Sequence, residues 1–373
     1  MAVKVLASHL LFGSRLVRQL LKRKEGNVFV SPASLELAVG MAAAGARSDT
    51  LASIEHALGV DAASAGDRAR QLLASLDNLP PGVSVELANA LWARSGLRLS
   101  RQYADAMRAR YRAQVSNLDF TRHDAIKVVN DWTARATHGQ ITGAVETLDA
   151  GSILVLVNAT YFHAPWLDPF DPEETTDREF TTGSGARTKV RLMLKTAEFR
   201  YTEDSDLQAI QVPYKRGRFS LLVVLPRKPL PVTAFDGLAD ASSLSRIIGD
   251  LEHRQCLLGL PKVRLSYAAD LEAELMEMGM AAAFAQDADF SAVFDMAAPA
   301  FISQVLQKAR LDIDEMGTTA AASTAIEYSL GARLGPPPRP LKMIVDRPFL
   351  AAITDSETDR LLFLGVIGDP TRA

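Results

Sequence analysis

The stretch that most constrains this 373-residue chain is Glu315-Met316-Gly317-Thr318-Thr319-Ala320-Ala321-Ala322-Ser323-Thr324-Ala325, which continues through Ile326 to Leu334 and then meets Pro336, Pro337, Pro338 and Pro340. No proline falls between Gly317 and Gly335, so this segment keeps its backbone donors for pairing until the proline cluster ends that possibility. Nearly every side chain up to Ala325 is small, and the segment could enter a crowded space. Three conformations are open to it. The alanines favour a helix, entered from Asp312 or Asp314, but Gly317 and the threonines weaken it. A small-residue linker is the second. The third is a strand in waiting, with Thr318, Ala320, Ala322 and Thr324 on one side, Thr319, Ala321 and Ser323 on the other, and no bulk on either.

Context comes from the rest of the chain. Glu315, Gly317, Thr318, Ala320, Ala321, Ala322 and Thr324 fill the pattern Glu-x-Gly-Thr-x-Ala-Ala-Ala-x-Thr. Four further motifs accompany it: Asn27-Val-Phe-Val-Ser-Pro-Ala-Ser34, Leu156-Val-Asn-Ala-Thr-Tyr-Phe162 leading to Trp166, Asp346-Arg-Pro-Phe349, and Phe363-Leu-Gly-Val-Ile-Gly-Asp-Pro370. In this order, and over essentially the whole chain, they resemble the serpin family. The resemblance selects the strand reading. It implies a single α+β domain over residues 1–373, with three antiparallel-rich sheets, about eight or nine helices and an exposed reactive loop from about residue 316 to 336. The hinge of that loop would be residues 315–325.

The function implied by the resemblance is inhibition of serine proteases. The protease cleaves the loop and is caught as a covalent acyl-enzyme while the loop enters the main sheet as a new strand. Thr318 would be the first hinge side chain to turn inward on entry. The resemblance places Trp166, Lys262 and Glu315 at the breach, the top of the main sheet, and Ser31, Ser34, Asn158 and Gln307 in the shutter beneath it. Gln307 departs from the family, which usually has histidine there; glutamine donates and accepts hydrogen bonds but does not titrate. Counting from Gly317 with the family's usual spacing puts the scissile bond at Leu330-Gly331, suited to a chymotrypsin-like protease. A longer register would present Arg333 to a trypsin-like one. A non-inhibitory serpin, acting as carrier, chaperone or binding protein, is the alternative, and bulky, charged or proline residues between Gly317 and Ala325 would have favoured it.

Composition sets outer bounds. With 48% apolar residues the chain can bury a large core, and a net charge of -3 provides no footprint for nucleic acid. The single Cys256 cannot form an internal disulfide. Near the start, Lys4 precedes Val5-Leu6-Ala7 as in a signal peptide, but His9 and Arg15 interrupt the run. Leu10, Gly13, Val17 and Leu20 recur instead at helical spacing. No uninterrupted apolar run is long enough for a bilayer. The expectation is a soluble monomer, cytoplasmic or secreted without a visible signal, of prokaryotic type and without membrane contact or cofactor.

Along the chain, Ser31 to Leu58 reads as helical, opened by Ser31-Pro32 as cap and first helical position. Val83 to Trp92 alternates as a half-buried strand. Arg101, Arg108 and Arg112 lie at helical spacing; a solvated basic face is the plain reading, and a polyanion site the functional one. Val128 to Ile141 matches the serpin helix that crosses the main sheet, ended by Gly139. Ile153 to Phe162 is nearly continuous apolar sequence, as in a strand covered on both faces. Asn158-Ala-Thr160 spells a glycan acceptor that such burial rules out, favouring an internally bonded asparagine. Strands follow over Glu198–Val212, Phe219–Leu225 and Leu257–Leu265, then a helix over Asp270–Met280. Strand patterns resume at Phe301–Asp314, Leu341–Thr354 and Leu361–Ile367.

The same residues offer no catalytic constellation. The six histidines lack metal-ligand spacing. Gly183-Ser184-Gly185 is too short for a nucleophile elbow and reads as a hairpin tip. Cys256 lies in an apolar strand, where an inert buried thiol is expected. The chain reads as something acted on by an enzyme, not as an enzyme, and metal-binding residues are not expected.

Overall fold

A computed structural model describes residues 2–295, 300–318 and 340–372. The longer helices are α1 (Ala2–Arg23), α2 (Pro32–Gly45), α3 (Ser48–Leu58), α4 (Ala62–Ser75), α5 (Arg101–Tyr111), α6 (Ala125–Ala136) and α7 (Ala241–Gly249). Ser31 caps α2 by accepting from the Ser34 amide, with Pro32 at the first helical position. The helical stretch predicted over residues 31–58 is two helices, parted at Ala46-Arg47. The helix predicted at residues 270–280 is broken. It runs as α8 (Glu272–Leu275), a wide turn over Met276–Met280 and α9 (Ala281–Phe284). Gly279 in that turn has φ 109°, and a Cβ there would lie 2.7 Å from the His56 ring of α3. The helix gives way where α3 comes close.

One sheet carries Asn158, Gln307, Gly317 and Thr318 among the residues singled out in the sequence. Its order is β10 (Val263–Asp270), β11 (Ile302–Ile313), β4 (Leu154–Pro165), β2 (Ser84–Arg94) and β3 (Gln114–Leu118), with the two-residue β12 (Gly317–Thr318) paired to β4. β4 alternates strictly between two cores: Leu156 and Phe162 face the large one containing α2, while Val155, Val157 and Tyr161 face a second under α6. A strand covered on both faces is apolar at most positions on either side, which is why its sequence shows no alternation, Asn158 and Thr160 being its buried polar exceptions. Trp132 of α6 meets Trp92 of β2 edge to face at 6.2 Å, seating α6 across this sheet.

The remaining strands form a nine-stranded hydrogen-bonded network. Within it β6 (Arg187–Glu203) runs beside β5 (Thr176–Thr181) and β9 (Glu252–Pro261), and β9 pairs in parallel with β13 (Leu341–Ile344). Only Arg200–Glu203 of β6 pair with β7 (Leu207–Pro213). From there the order runs through β8 (Phe219–Pro226), β14 (Phe349–Asp355) and β15 (Arg360–Ile367) to β1 (Val28–Val30). The long β6 therefore joins two smaller sheets, which with the main sheet make three.

Three strand expectations are corrected in their boundaries. Residues 257–265 are not one strand: β9 ends at Pro261, which has no amide to donate, and after Lys262 the chain changes sheets to become β10. Residues 341–354 form β13 and β14, separated by Val345-Asp346-Arg347-Pro348. Residues 198–212 likewise divide into the end of β6 and β7, around an Asp204 carboxylate that accepts from the amides of Asp206 and Leu207.

Candidate functional site at the seam between two parallel strands

β4 and β11 lie side by side in parallel, with Gln304–Arg310 opposite Val155–Tyr161. Nothing separates them, so the sheet is closed along this seam. Beyond Arg310 the pairing stops, while β11 continues along β10 as far as Ile313. There the chain reverses in a tight turn, closed by the Asp314 amide donating to the Gly317 carbonyl at 2.9 Å and the Gly317 amide to the Asp314 carbonyl at 3.3 Å. Gly317 and Thr318 then run antiparallel to Pro165 and Ala164 at the top of β4. Gly317 has φ 140°, and a Cβ would fall 2.3 Å from the Ala164 carbonyl oxygen. Only glycine fits this approach.

Trp166 and Glu315 secure the turn. The Trp166 amide donates to the Met316 carbonyl and its indole Nε1 to the Asp314 carbonyl, each at 2.9 Å. The Phe170 amide donates to the Glu315 carbonyl at 2.8 Å. Lys262 Nζ donates to one Glu315 carboxylate oxygen at 2.6 Å and Thr175 Oγ1 to the other at 2.9 Å. The break after Pro261 is what turns Lys262 towards this carboxylate. Burial alone would raise the Glu315 carboxyl, but Lys262, Thr175 and a backbone amide together hold it below the usual carboxylate range. Burial pushes the neighbouring Asp314 carboxyl upward.

Thr318 is already fully buried. The expectation that it turns inward only when the loop enters the sheet is therefore corrected. Its hydroxyl lies 3.0 Å from the Tyr214 hydroxyl, and the Tyr214 ring stacks on Trp166 with centroids 4.4 Å apart. Lys195 supports the assembly from one layer back. It donates to the carbonyls of Asp168 and Pro169, each at 2.7 Å, just before the Phe170 amide that holds Glu315.

Halfway down the seam lies a buried polar cluster. Gln307 and Asn158 are cross-strand partners, as are Asn158 and Asn89 of β2, so three amide side chains line up across three strands. Gln307 Nε2 donates to Asn158 Oδ1 at 2.7 Å and to the Ser31 carbonyl at 3.1 Å, and its Oε1 accepts from the Ser31 amide at 2.9 Å. Asn158 Nδ2 donates to Asn89 Oδ1 at 2.8 Å and to the carbonyl and hydroxyl of Ser34. Ser31 Oγ donates to the Leu362 carbonyl at 2.7 Å. The cluster ties the start of α2 to both sides of the seam, and Gln307 acts as donor and acceptor at once.

Among the sequence-derived candidates, the structure thus brings together Trp166, Lys262, Glu315, Gly317 and Thr318 at the top and Ser31, Ser34, Asn158 and Gln307 below. Thr319, Ala320, Ala321, Ala322, Thr324, Leu330, Gly331 and Arg333 lie outside the described residues. Sequence reading did not single out Asn89, Thr175, Lys195 or Tyr214. Asn89 carried a weak signal, being polar within the mostly apolar run from Leu87 to Ala93; Thr175 carried none. The arginines of α5 do not share one free face. Arg108 pairs with Asp105, while Arg112 lies past the helix end in a left-handed turn, paired with Asp77. Cys256 is buried, which raises its thiol to about 11. Among the described residues no helix is long and apolar enough to cross a membrane.

The sheet has two parallel neighbours at its centre, and Gly317 and Thr318 are seated on β4 beyond the point where β11 leaves it. The chain belongs to the serpin family: the family model Serpin (serine protease inhibitor) matches residues 8–370. It is 32% identical to Iripin-8 of Ixodes ricinus over 367 residues, covering 95% of this chain and 91% of that protein. The crystal structure of the thermophilic serpin tengpin in its native state superimposes with a TM-score of 0.89 at 25% identity, covering 98% of this chain and 94% of that one. Human thyroxine-binding globulin, crystallised with its hormone, also superimposes with a TM-score of 0.89, at 26% identity and 99% coverage of both chains. Serpins are generally inhibitors of proteases, not enzymes.

Proposed function

We propose that the chain is a suicide-substrate inhibitor of serine proteases. The protease serine attacks the scissile carbonyl, the peptide bond breaks, its amine leaves with the C-terminal piece, and an ester joins the protease to the new end of the loop. Insertion between β4 and β11 then drags the protease away before water reaches the ester. Strand addition of this kind satisfies the inserted backbone on both edges. One observation carries the reading: Gly317 and Thr318 already pair with β4 at the point where β11 leaves it. The small residues that follow give the sheet nothing it must exclude.

Leu330-Gly331 is the reactive bond in this reading, with a chymotrypsin-like target; cleavage at Arg333 would make the target trypsin-like. Mass spectrometry of the released C-terminal peptide locates the bond. The test of function is a gel. Incubation with chymotrypsin or trypsin should give a species of the summed mass less the C-terminal piece, and this species should survive boiling in detergent. The likeness to thyroxine-binding globulin keeps a carrier function as the second reading, and loop cleavage without any such species would favour it.

A further inference from the structure

The hydroxyl pair at the top of the seam does more than fill space. Thr318 Oγ1 and Tyr214 Oη are both fully buried and lie 3.0 Å apart. The Tyr214 ring is fixed by stacking on Trp166 and by an edge contact with Phe162 at 5.0 Å. Burial keeps this phenol well above its ordinary value, so it is a neutral hydroxyl at every working pH. Among the described residues each oxygen has the other as its hydrogen-bond partner, so removing one takes away the bond that the other makes there.

We infer that Tyr214 is a positioning residue for loop insertion: its hydroxyl latches Thr318 in the closed sheet, so that insertion extends a strand already started. Closing a loop onto an unformed strand carries an entropic penalty before any pairing repays it. With Gly317 and Thr318 already registered against Pro165 and Ala164, the next residue to pair is fixed as Thr319. The latch also prevents a slip by one residue, which would turn every inserted side chain to the wrong face. This role rests on the inhibitory reading, but the latch itself is a property of the resting molecule.

The two levels are tested separately on the full-length protein. Hydrogen exchange read by mass spectrometry over a peptide spanning residues 314–318 reports the latch without any protease. Tyr214→Phe should lower protection there about tenfold. Thr318→Val should lower it to a similar extent, and the double variant no further than either single change, because the shared bond is already lost; a merely structural loss at Tyr214 would add to the loss at Thr318. Unchanged protection in Tyr214→Phe, or additive losses in the double variant, overturns the latch. The moles of inhibitor consumed per mole of chymotrypsin trapped should rise several-fold in Tyr214→Phe and no further in the double variant. An unchanged ratio with lost protection overturns the positioning role. A wild-type chain that is cleaved but traps nothing overturns the inhibitory reading, and the role with it, while the exchange result still decides the latch.

Discussion

At the scale of single residues, the hinge is decided by what can be buried. Thr318 carries one hydroxyl with one partner; arginine in its place would bring an unpaired charge into the same space at a cost of several kcal/mol. The expected outcome for Thr318→Arg is a folded protein whose hinge is displaced from the sheet, whose loop is still cleaved, and whose insertion is slowed. A barrier raised by about 3 kcal/mol slows a step more than about a hundredfold, so deacylation wins. Covalent complex on a gel should give way to cleaved inhibitor, and complex formation at the wild-type ratio would refute the assigned register. Acid acts on the same turn in two directions. Glu315, held low, contributes stability above the usual carboxylate range that is lost as pH falls through its depressed value. Asp314, raised by burial, works the opposite way. Glu315→Gln should therefore flatten the acid limb of stability and Asp314→Asn should steepen it, measured as melting temperature between about pH 3 and 6.

At the scale of elements, α6 and the segment after it form a strap over the seam. α6 packs on β2 through its tryptophan pair, while β11 reaches the same segment from below. Lys308 Nζ donates to the Gly143 carbonyl at 2.8 Å and an Arg310 nitrogen to the Gln140 carbonyl at 3.0 Å. Inserting a strand moves β11 away from β4 by about 4.8 Å, which these bonds cannot span unchanged. Lys308→Met should therefore open the seam faster, read as quicker uptake of a synthetic peptide with the sequence of residues 318–331. An unchanged uptake rate would remove the strap from the barrier. The elements themselves were largely legible: the unbroken apolar run of β4 and the Ser31-Pro32 start of α2 state their own causes. What could not be read was where one pattern hides two partners. Residues 257–265 look like one strand because the apolar, buried end of β9 runs straight on into the alternation of β10, and nothing local says that the chain changes sheets at Lys262. The kink at Gly279 is set by His56, more than two hundred residues away. Likewise Trp166, Lys262 and Glu315 were reached through family resemblance, whereas Tyr214 and Thr175 belong to the site only through contacts that the chain makes when folded.

For the whole molecule, the inhibitory reading implies that the closed seam is not the state of lowest free energy. About fourteen inserted residues, each gaining roughly one net backbone hydrogen bond of about 1 kcal/mol, amount to about 10 kcal/mol. That is comparable to the entire stability of an ordinary domain. Cleaving the loop with a protease that is not trapped should therefore raise the melting temperature by well over about 10 °C, and coincident melting curves for cut and uncut protein would refute the inhibitory reading. Persistence of the uncut form is then a matter of rate. The side-chain bond that would have to break halfway along the seam joins Gln307 to Asn158, and the cluster around it consists of amides and hydroxyls that neither gain nor lose a proton between acid and mild alkali. Shelf life is thereby uncoupled, at this cluster, from the acidity of the surroundings: a stock of the protein should spoil by spontaneous self-insertion no faster at pH 5.5 than at pH 8, and replacing Gln307 with histidine should give that decay a pH at which it turns.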